Sequence, residues 1–171
     1  MRQSFWHRVD QLARGVTPFA LSLLLVVLSL VPLRLPGFSP VTPWVTLIAV
    51  YFWTLHRPDL LPIGAVFLLG LFADLVGGGP LGVTSLALMA AQAVVKAQRR
   101  HILPHPFIVQ WVIFAIAALL AEALLVVLHV LAYAQAVDPD PALFQALMTL
   151  ACYPPVAWLF VQAQRAFLRT A

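Results

Sequence analysis

The sequence predicts an all-α protein that crosses a membrane several times, most simply with six helices. Of its 171 residues, 63% are hydrophobic and only 9% are charged. A soluble domain is about half apolar and about a quarter charged, so this chain could not cover a water-facing surface. The net charge of +4 comes without a basic patch interleaved with aromatic residues. We therefore expect lipid contact and no binding of nucleic acid.

The first fifteen residues predict a short amphipathic segment on the cytoplasmic face, followed by a single transmembrane domain over residues 16–171. Phe5, Val9 and Leu12 recur at helical spacing, while arginines occupy another side. A frayed basic tail explains the same residues and stays open as an alternative. The apolar run that follows is long for a signal peptide and lacks a small-residue cleavage site, so we expect it to be the first membrane helix.

Six apolar segments are separated by proline, glycine or charged residues, which interrupt helices. The second segment is short: about a dozen residues reach about 18 Å, against a hydrocarbon core of about 30 Å. Trp44 and Trp53 at its ends are typical of interface anchors, which favours a short span. The predicted helices cover residues 17–33, 44–55, 60–76, 81–97, 107–133 and 142–167.

The basic residues predict that both termini lie in the cytoplasm. With six spans, every lysine and arginine except Arg34 falls in a cytoplasmic segment, which is the bias expected of a membrane protein. The last outer loop contains Asp138 and Asp140 and no basic residue. The cytoplasmic set consists of Arg2, Arg8, Arg14, Arg57, Lys96, Arg99, Arg100, Arg165 and Arg169.

Three ionisable residues, Asp74, Glu122 and His129, fall within predicted spans, where such residues usually face the bundle interior and find partners. Asp74 stands near the end of the third helix, where the macrodipole disfavours an acid. We expect it to accept hydrogen bonds from the glycine-rich turn or from the free N–H groups that open the next helix. Glu122 and His129 share one face of the fifth helix. Two roles are open for them: packing within the bundle and contact with a partner's membrane helix.

Two further features concern how membrane helices pack. Pro154 and Pro155 remove two backbone donors within the sixth helix and predict a kink that opens a groove for a partner. Gly64 and Gly70 lie in the third helix, where small residues let neighbouring backbones approach. The lone Cys152 is interpreted as a packing residue, because it cannot form an internal disulfide.

No pattern of catalytic or cofactor-binding residues is found in the sequence. Ser85 and His129 have no third member of a catalytic triad, and the dinucleotide and phosphate-loop motifs are missing. His129 with Asp138 and Asp140 matches no metal-ligand spacing. We therefore expect no catalytic residue, no metal site and no cofactor.

The segment Phe67–Asp74, followed by Gly79, Pro80 and Gly82, resembles the signature of the rod shape-determining protein MreD family. The Arg57-Pro58 step, the chain length and the basic stretch after the fourth helix agree with this resemblance, which covers about residues 43–167. The motif positions that it carries over to this chain are Gly70, Asp74, Gly79, Pro80 and Gly82.

The resemblance implies a non-enzymatic, multi-pass protein of the bacterial inner membrane that serves the cell-wall elongation machinery. It implies binding to the bitopic protein MreC and, through MreC, a link between MreB filaments and the wall transpeptidase and glycosyltransferase. It also implies a fold similar to the S components of energy-coupling-factor transporters. A small-molecule-binding transporter subunit of that kind is the alternative function, although few polar groups converge near the first, fifth and sixth helices.

Overall fold

The computed structural model describes residues 23–24, 42–133 and 139–168. In the last of these ranges, side chains are described for residues 140–162. The two longer ranges form the helices α1 (Val45–His56), α2 (Ile63–Gly77), α3 (Val83–Ile102), α4 (Phe107–Tyr133) and α5 (Pro139–Leu168). They correspond to the second to sixth predicted helices. Residues 1–15 and almost all of the first predicted helix, 17–33, lie outside the described residues. Leu23 is helical and packs against the core.

Proline, glycine and basic residues determine where α2 and α3 begin and end. α2 starts at Ile63 instead of residue 60, directly after the extended Pro62. Pro62 disfavours helical backbone at Leu61, the residue before it, so the helix cannot begin earlier. Gly82 has a φ of 93°, so α3 starts at Val83 instead of 81. α3 ends at Ile102 instead of 97. Its last turns contain good helix formers, and basic residues there complement the macrodipole.

The other helices differ from the predicted ranges by little. α4 has the predicted ends, and α1 is displaced by one residue at each end. α5 begins at Pro139 instead of 142, since proline is tolerated in the first turn of a helix. The helix then continues through Pro154 and Pro155.

Helix α1 lies at the centre of the bundle. Every residue from Val45 to Leu55 is buried, as expected of a helix that is apolar on all sides. α1 packs against α3 and α5, α3 packs against α2 and α4, and α4 packs against α5. The interpretation of Trp44 and Trp53 as interface anchors is wrong, because they are 8% and 2% exposed. Since protein encloses α1, its length need not match the thickness of the lipid.

Aromatic side chains fill the space between α1, α4 and α5. The ring of Tyr51 lies 5.0 Å from that of Phe114 and 5.8 Å from that of Tyr153, in edge-to-face geometry. Phe52 stacks on Phe160 with ring centroids 5.1 Å apart. Each such pair adds about 0.5–1.5 kcal/mol beyond the area it buries. These contacts fix the position of α1 against the two longest helices.

Backbone and hydroxyl groups also attach α1 to α4 and α5. The N–H of Trp44, at the start of α1, donates to Thr149 Oγ1 of α5 at 2.8 Å. The Tyr51 hydroxyl donates to the carbonyl of Gln110 in α4 at 2.9 Å. Both bonds give buried polar groups the partners that an apolar surrounding requires.

Among the described residues, α4 and residues 140–162 of α5 are long and apolar enough to cross a membrane. α1 and α2 are apolar but shorter. Large apolar side chains cover the outside of α4, where Ile108 is 70% exposed and Leu131 is 74% exposed. This pattern is typical of a helix that faces lipid.

Candidate functional site

The carboxylate of Asp74 joins the end of α2 to the start of α3. Asp74 lies in the last turn of α2 and is only 4% exposed. Its Oδ2 accepts the Gly82 N–H at 2.7 Å, and its Oδ1 accepts the Thr84 N–H at 3.3 Å. These are the donors expected from the sequence: one from the turn and one from the first turn of the next helix. Asp74 thus caps a helix that follows it in the chain.

Gly70 allows α2 and α3 to approach each other closely. A Cβ atom at this position would lie 2.5 Å from Ser85 Cα and 2.7 Å from Ser85 N. Real Cβ atoms do not approach backbone atoms this closely, so the contact requires glycine. Beside it, the Ser85 hydroxyl donates to the Phe67 carbonyl at 3.0 Å and bridges the two helices.

The turn between α2 and α3 uses glycine at two left-handed positions. Gly78 ends α2 with a φ of 69°, and Gly82 precedes α3 with a φ of 93°. Between them, the Pro80 carbonyl accepts the Val83 N–H at 3.3 Å. At Gly79, a Cβ atom would meet only His129 Nε2, at an ordinary 3.9 Å. The geometry therefore requires glycine at 78 and 82 more than at 79.

The five motif residues thus belong to one rigid hairpin, with Gly70 at the crossing of the helices and Asp74, Gly79, Pro80 and Gly82 around the turn. Both hydrogen bonds that the Asp74 carboxylate forms with the described residues are to backbone N–H groups of the chain itself. The arrangement holds the end of α2 against the start of α3.

A ladder of polar side chains on α3 was missed in the sequence. Ser85, Gln92 and Arg99 recur every seven residues and each donates to a backbone carbonyl: Ser85 to Phe67, Gln92 to Leu61 at 2.9 Å, and Arg99 to Leu55 at 2.7 Å. Leu88, Val95 and Ile102 recur at the same interval and are buried. This heptad spacing was the available signal, because residues seven apart lie on one helix face.

Arg99 of α3 pairs the carbonyl of Leu55 in the last turn of α1, which joins the C-terminal ends of these two helices. Arg99→Ala is expected to lower the free energy of unfolding by about 2 kcal/mol, because it leaves the Leu55 carbonyl without its charged donor at a helix C-terminus. The measurement is denaturant unfolding in detergent micelles. Arg100→Ala is the matched control, since the neighbouring Arg100 is exposed. Equal losses in both variants would contradict the role given to Arg99.

The candidate partner contacts on α4 have different surroundings. Glu122 is 5% exposed, and neither carboxylate oxygen has a hydrogen-bond partner among the described residues. A partner helix cannot reach it in this conformation. His129 is half-buried, with Nδ1 3.0 Å from the Leu125 carbonyl and Nε2 close to Gly79. It packs α4 against the turn between α2 and α3.

The prolines of α5 act through the carbonyls that they leave without a helical donor. Pro154 has no N–H for the carbonyl of Leu150, four residues earlier. Trp111 of α4 donates its indole N–H to that oxygen at 3.1 Å. Pro155, in contrast, lies on the exposed side of α5. The pair therefore faces α4 on one side and the outside of the described bundle on the other.

Comparison with known proteins identifies the family. The family model for the rod shape-determining protein MreD matches residues 10–163 of the chain. The searches of curated protein sequences and of solved structures found no match to the chain. The matched range contains the whole α2–α3 hairpin and the apolar helix α4, which suit a membrane family. The chain belongs to the MreD family of rod shape-determining membrane proteins.

Proposed function

We propose that this chain is a non-enzymatic scaffold of the bacterial inner membrane in the machinery that elongates the cell wall. It binds an MreC-like bitopic protein and through it links MreB filaments to the transpeptidase and glycosyltransferase that build peptidoglycan. It crosses the membrane six times with both termini in the cytoplasm. The family match to a rod shape-determining protein is the observation that carries this proposal.

The short connections between the helices support recognition within the bilayer. The described helices are joined by residues 57–62, 78–82 and 103–106, which leave little surface outside the helices. A bitopic partner offers one membrane helix and its flanks. Helix faces that are exposed to lipid are therefore the main surface on which the two proteins can meet.

The same connections support the six-span topology. Helices α1 to α4 are joined by connections of four to six residues, and such short loops favour opposite directions for helices that are neighbours in sequence. Arg99 near the end of α3 donates to the carbonyl of Leu55 near the end of α1, so the C-terminal ends of these two helices lie close together, as the alternating topology requires. Cysteine labelling from each side of the membrane tests the topology, and termini on opposite sides would contradict it.

Depletion of the chain in its own cells tests the proposed function. We expect rods to become round, and we expect the tagged chain to co-purify with the MreC-like protein from detergent extracts. A matched strain that expresses an unrelated six-span protein with the same tag controls for non-specific recovery. Rods that persist after depletion would contradict the proposal, and a metabolite retained through purification would favour the transporter-subunit alternative.

A further inference from the structure

The lysine and arginine side chains that the structure describes all lie at one end of the bundle. Arg57 directly follows α1, and Lys96, Arg99 and Arg100 lie in the last two turns of α3. The bond from Arg99 to the end of α1 brings these two helix ends together. Asp59, in the connection after α1, is the one acidic residue described at this end. This end of the described bundle therefore has a net positive charge.

Lys96 and Arg100, here called the basic pair, are exposed on the same side of α3. They are four residues apart, so one lies above the other on the helix surface. Arg99 points elsewhere, since it is bonded to α1. Leu86 and Ala93 precede Arg100 at intervals of seven residues and are also exposed. The outer side of α3 thus has an apolar stretch that ends in two positive charges.

The ends of α3 and α4 place the basic pair at the depth of lipid headgroups. Arg100 lies about 3 Å and Lys96 about 9 Å along the axis from the last residue of α3. α4 begins only four residues later, and Ile108 in its first turn is 70% exposed. Hydrocarbon therefore begins close to the level at which α3 ends. The headgroup layer is about 5–8 Å deep, and a lysine side chain can extend its charge into it from below.

The rest of the chain does not supply a negative charge for the basic pair. Among the residues whose side chains are not described, only Asp10 and Asp138 are acidic. Asp10 stands between Arg8 and Arg14, so its own surroundings are net positive. Asp138 directly precedes α5, beyond the far end of α4. The first predicted helix is uncharged and could cover apolar surface only. Charge complementarity therefore favours an anion from outside the chain.

We propose that the basic pair binds the phosphate of an anionic phospholipid, and that one acyl chain of this lipid lies along Ala93 and Leu86. The chain belongs to a membrane family, so lipid surrounds the bundle. The guanidinium group can donate two N–H groups to one phosphate, and the ammonium group adds three donors and a second charge. The apolar side of α3 continues from the basic pair in the direction in which the acyl chains extend.

Lipid retention by the purified full-length chain tests this site. The chain in detergent is incubated with equal amounts of phosphatidylglycerol and phosphatidylcholine, and native mass spectrometry counts the lipids that stay bound. We expect the wild-type chain to retain phosphatidylglycerol. The double variant Lys96→Gln/Arg100→Gln should bind it about tenfold more weakly, because both charges near the headgroup are lost. Both side chains are exposed, so the fold should be kept. Lys96→Arg/Arg100→Lys keeps both charges and should bind as the wild type does.

Arg2→Gln/Arg169→Gln is the matched control, because it removes the same net charge from the two ends of the chain. It should retain phosphatidylglycerol. An equal loss in both glutamine variants would overturn the site, since net charge alone would then explain binding. Wild-type binding by Lys96→Gln/Arg100→Gln, or equal retention of the two lipids by the wild-type chain, would overturn it as well. Displacement of the lipid by millimolar inorganic phosphate would indicate a site for free anions instead. None of these outcomes depends on the MreC-like protein.

Discussion

Asp74→Ala is expected to lower the free energy of unfolding by about 3 kcal/mol, a loss large enough to reduce the amount of folded protein in the membrane. The carboxylate accepts two backbone N–H groups, from Gly82 and Thr84, at a site that is almost fully buried. Its removal leaves both donors unpaired at the start of α3. Each unpaired buried donor costs about 1–3 kcal/mol.

Denaturant unfolding in detergent micelles measures this loss, and two variants calibrate it. Asp74→Asn keeps one acceptor oxygen and is expected to lose about half as much as the alanine variant. Asp59→Ala removes an exposed acid from the connection before α2 and is expected to change little. Wild-type stability in Asp74→Ala would show that the turn pairs its N–H groups in another way.

Gly70→Ala is expected to cost about 2–3 kcal/mol, although a single methyl group is added. That methyl would overlap Ser85 Cα and N, which are backbone atoms of α3 and cannot rotate away as a side chain can. The two helices must separate, and the Ser85 hydroxyl bond to Phe67 weakens with them. Gly70→Val should be worse, because a branched side chain needs still more room.

Gly64→Ala is the matched control for this prediction. Gly64 lies in the same helix, and a Cβ atom there would meet nothing within 4 Å. Alanine favours helix by about 1 kcal/mol over glycine, so the variant should be neutral or slightly more stable. Unfolding in detergent micelles and the yield of monodisperse protein compare the two. Equal behaviour of Gly64→Ala and Gly70→Ala would contradict the close approach at Ser85.

Local rules predicted the hairpin well. An acid at a helix C-terminus must find donors, and the nearest free donors open the following helix, so the partners of Asp74 could be derived from the sequence. The sequence did not separate Gly64 from Gly70, however. Which of the two meets a neighbouring backbone depends on how α2 crosses α3, and that crossing is a tertiary property.

The position of α1 could not be predicted from its composition. A helix that is apolar on every side looks the same whether lipid or protein surrounds it. The sequence therefore suggested a short span anchored by Trp44 and Trp53, whereas both side chains are buried in the bundle. The heptad spacing of the polar side chains on α3 is visible in the sequence. Their acceptors could not be predicted from it, because every residue has a backbone carbonyl and the choice among them depends on how the helices pack.

The enclosed position of α1 has a consequence for biogenesis. Its first N–H is bonded to Thr149, 105 residues further along the chain, and its last turn is bonded to Arg99. At roughly 5–20 residues per second, the ribosome needs about 5–20 s to supply the more distant partner. During that interval α1, the shortest of the described helices, lacks its contact with α5. Nascent chains that terminate before Thr149 still contain α1 but lack its bond to α5, and we expect membrane proteases to degrade them.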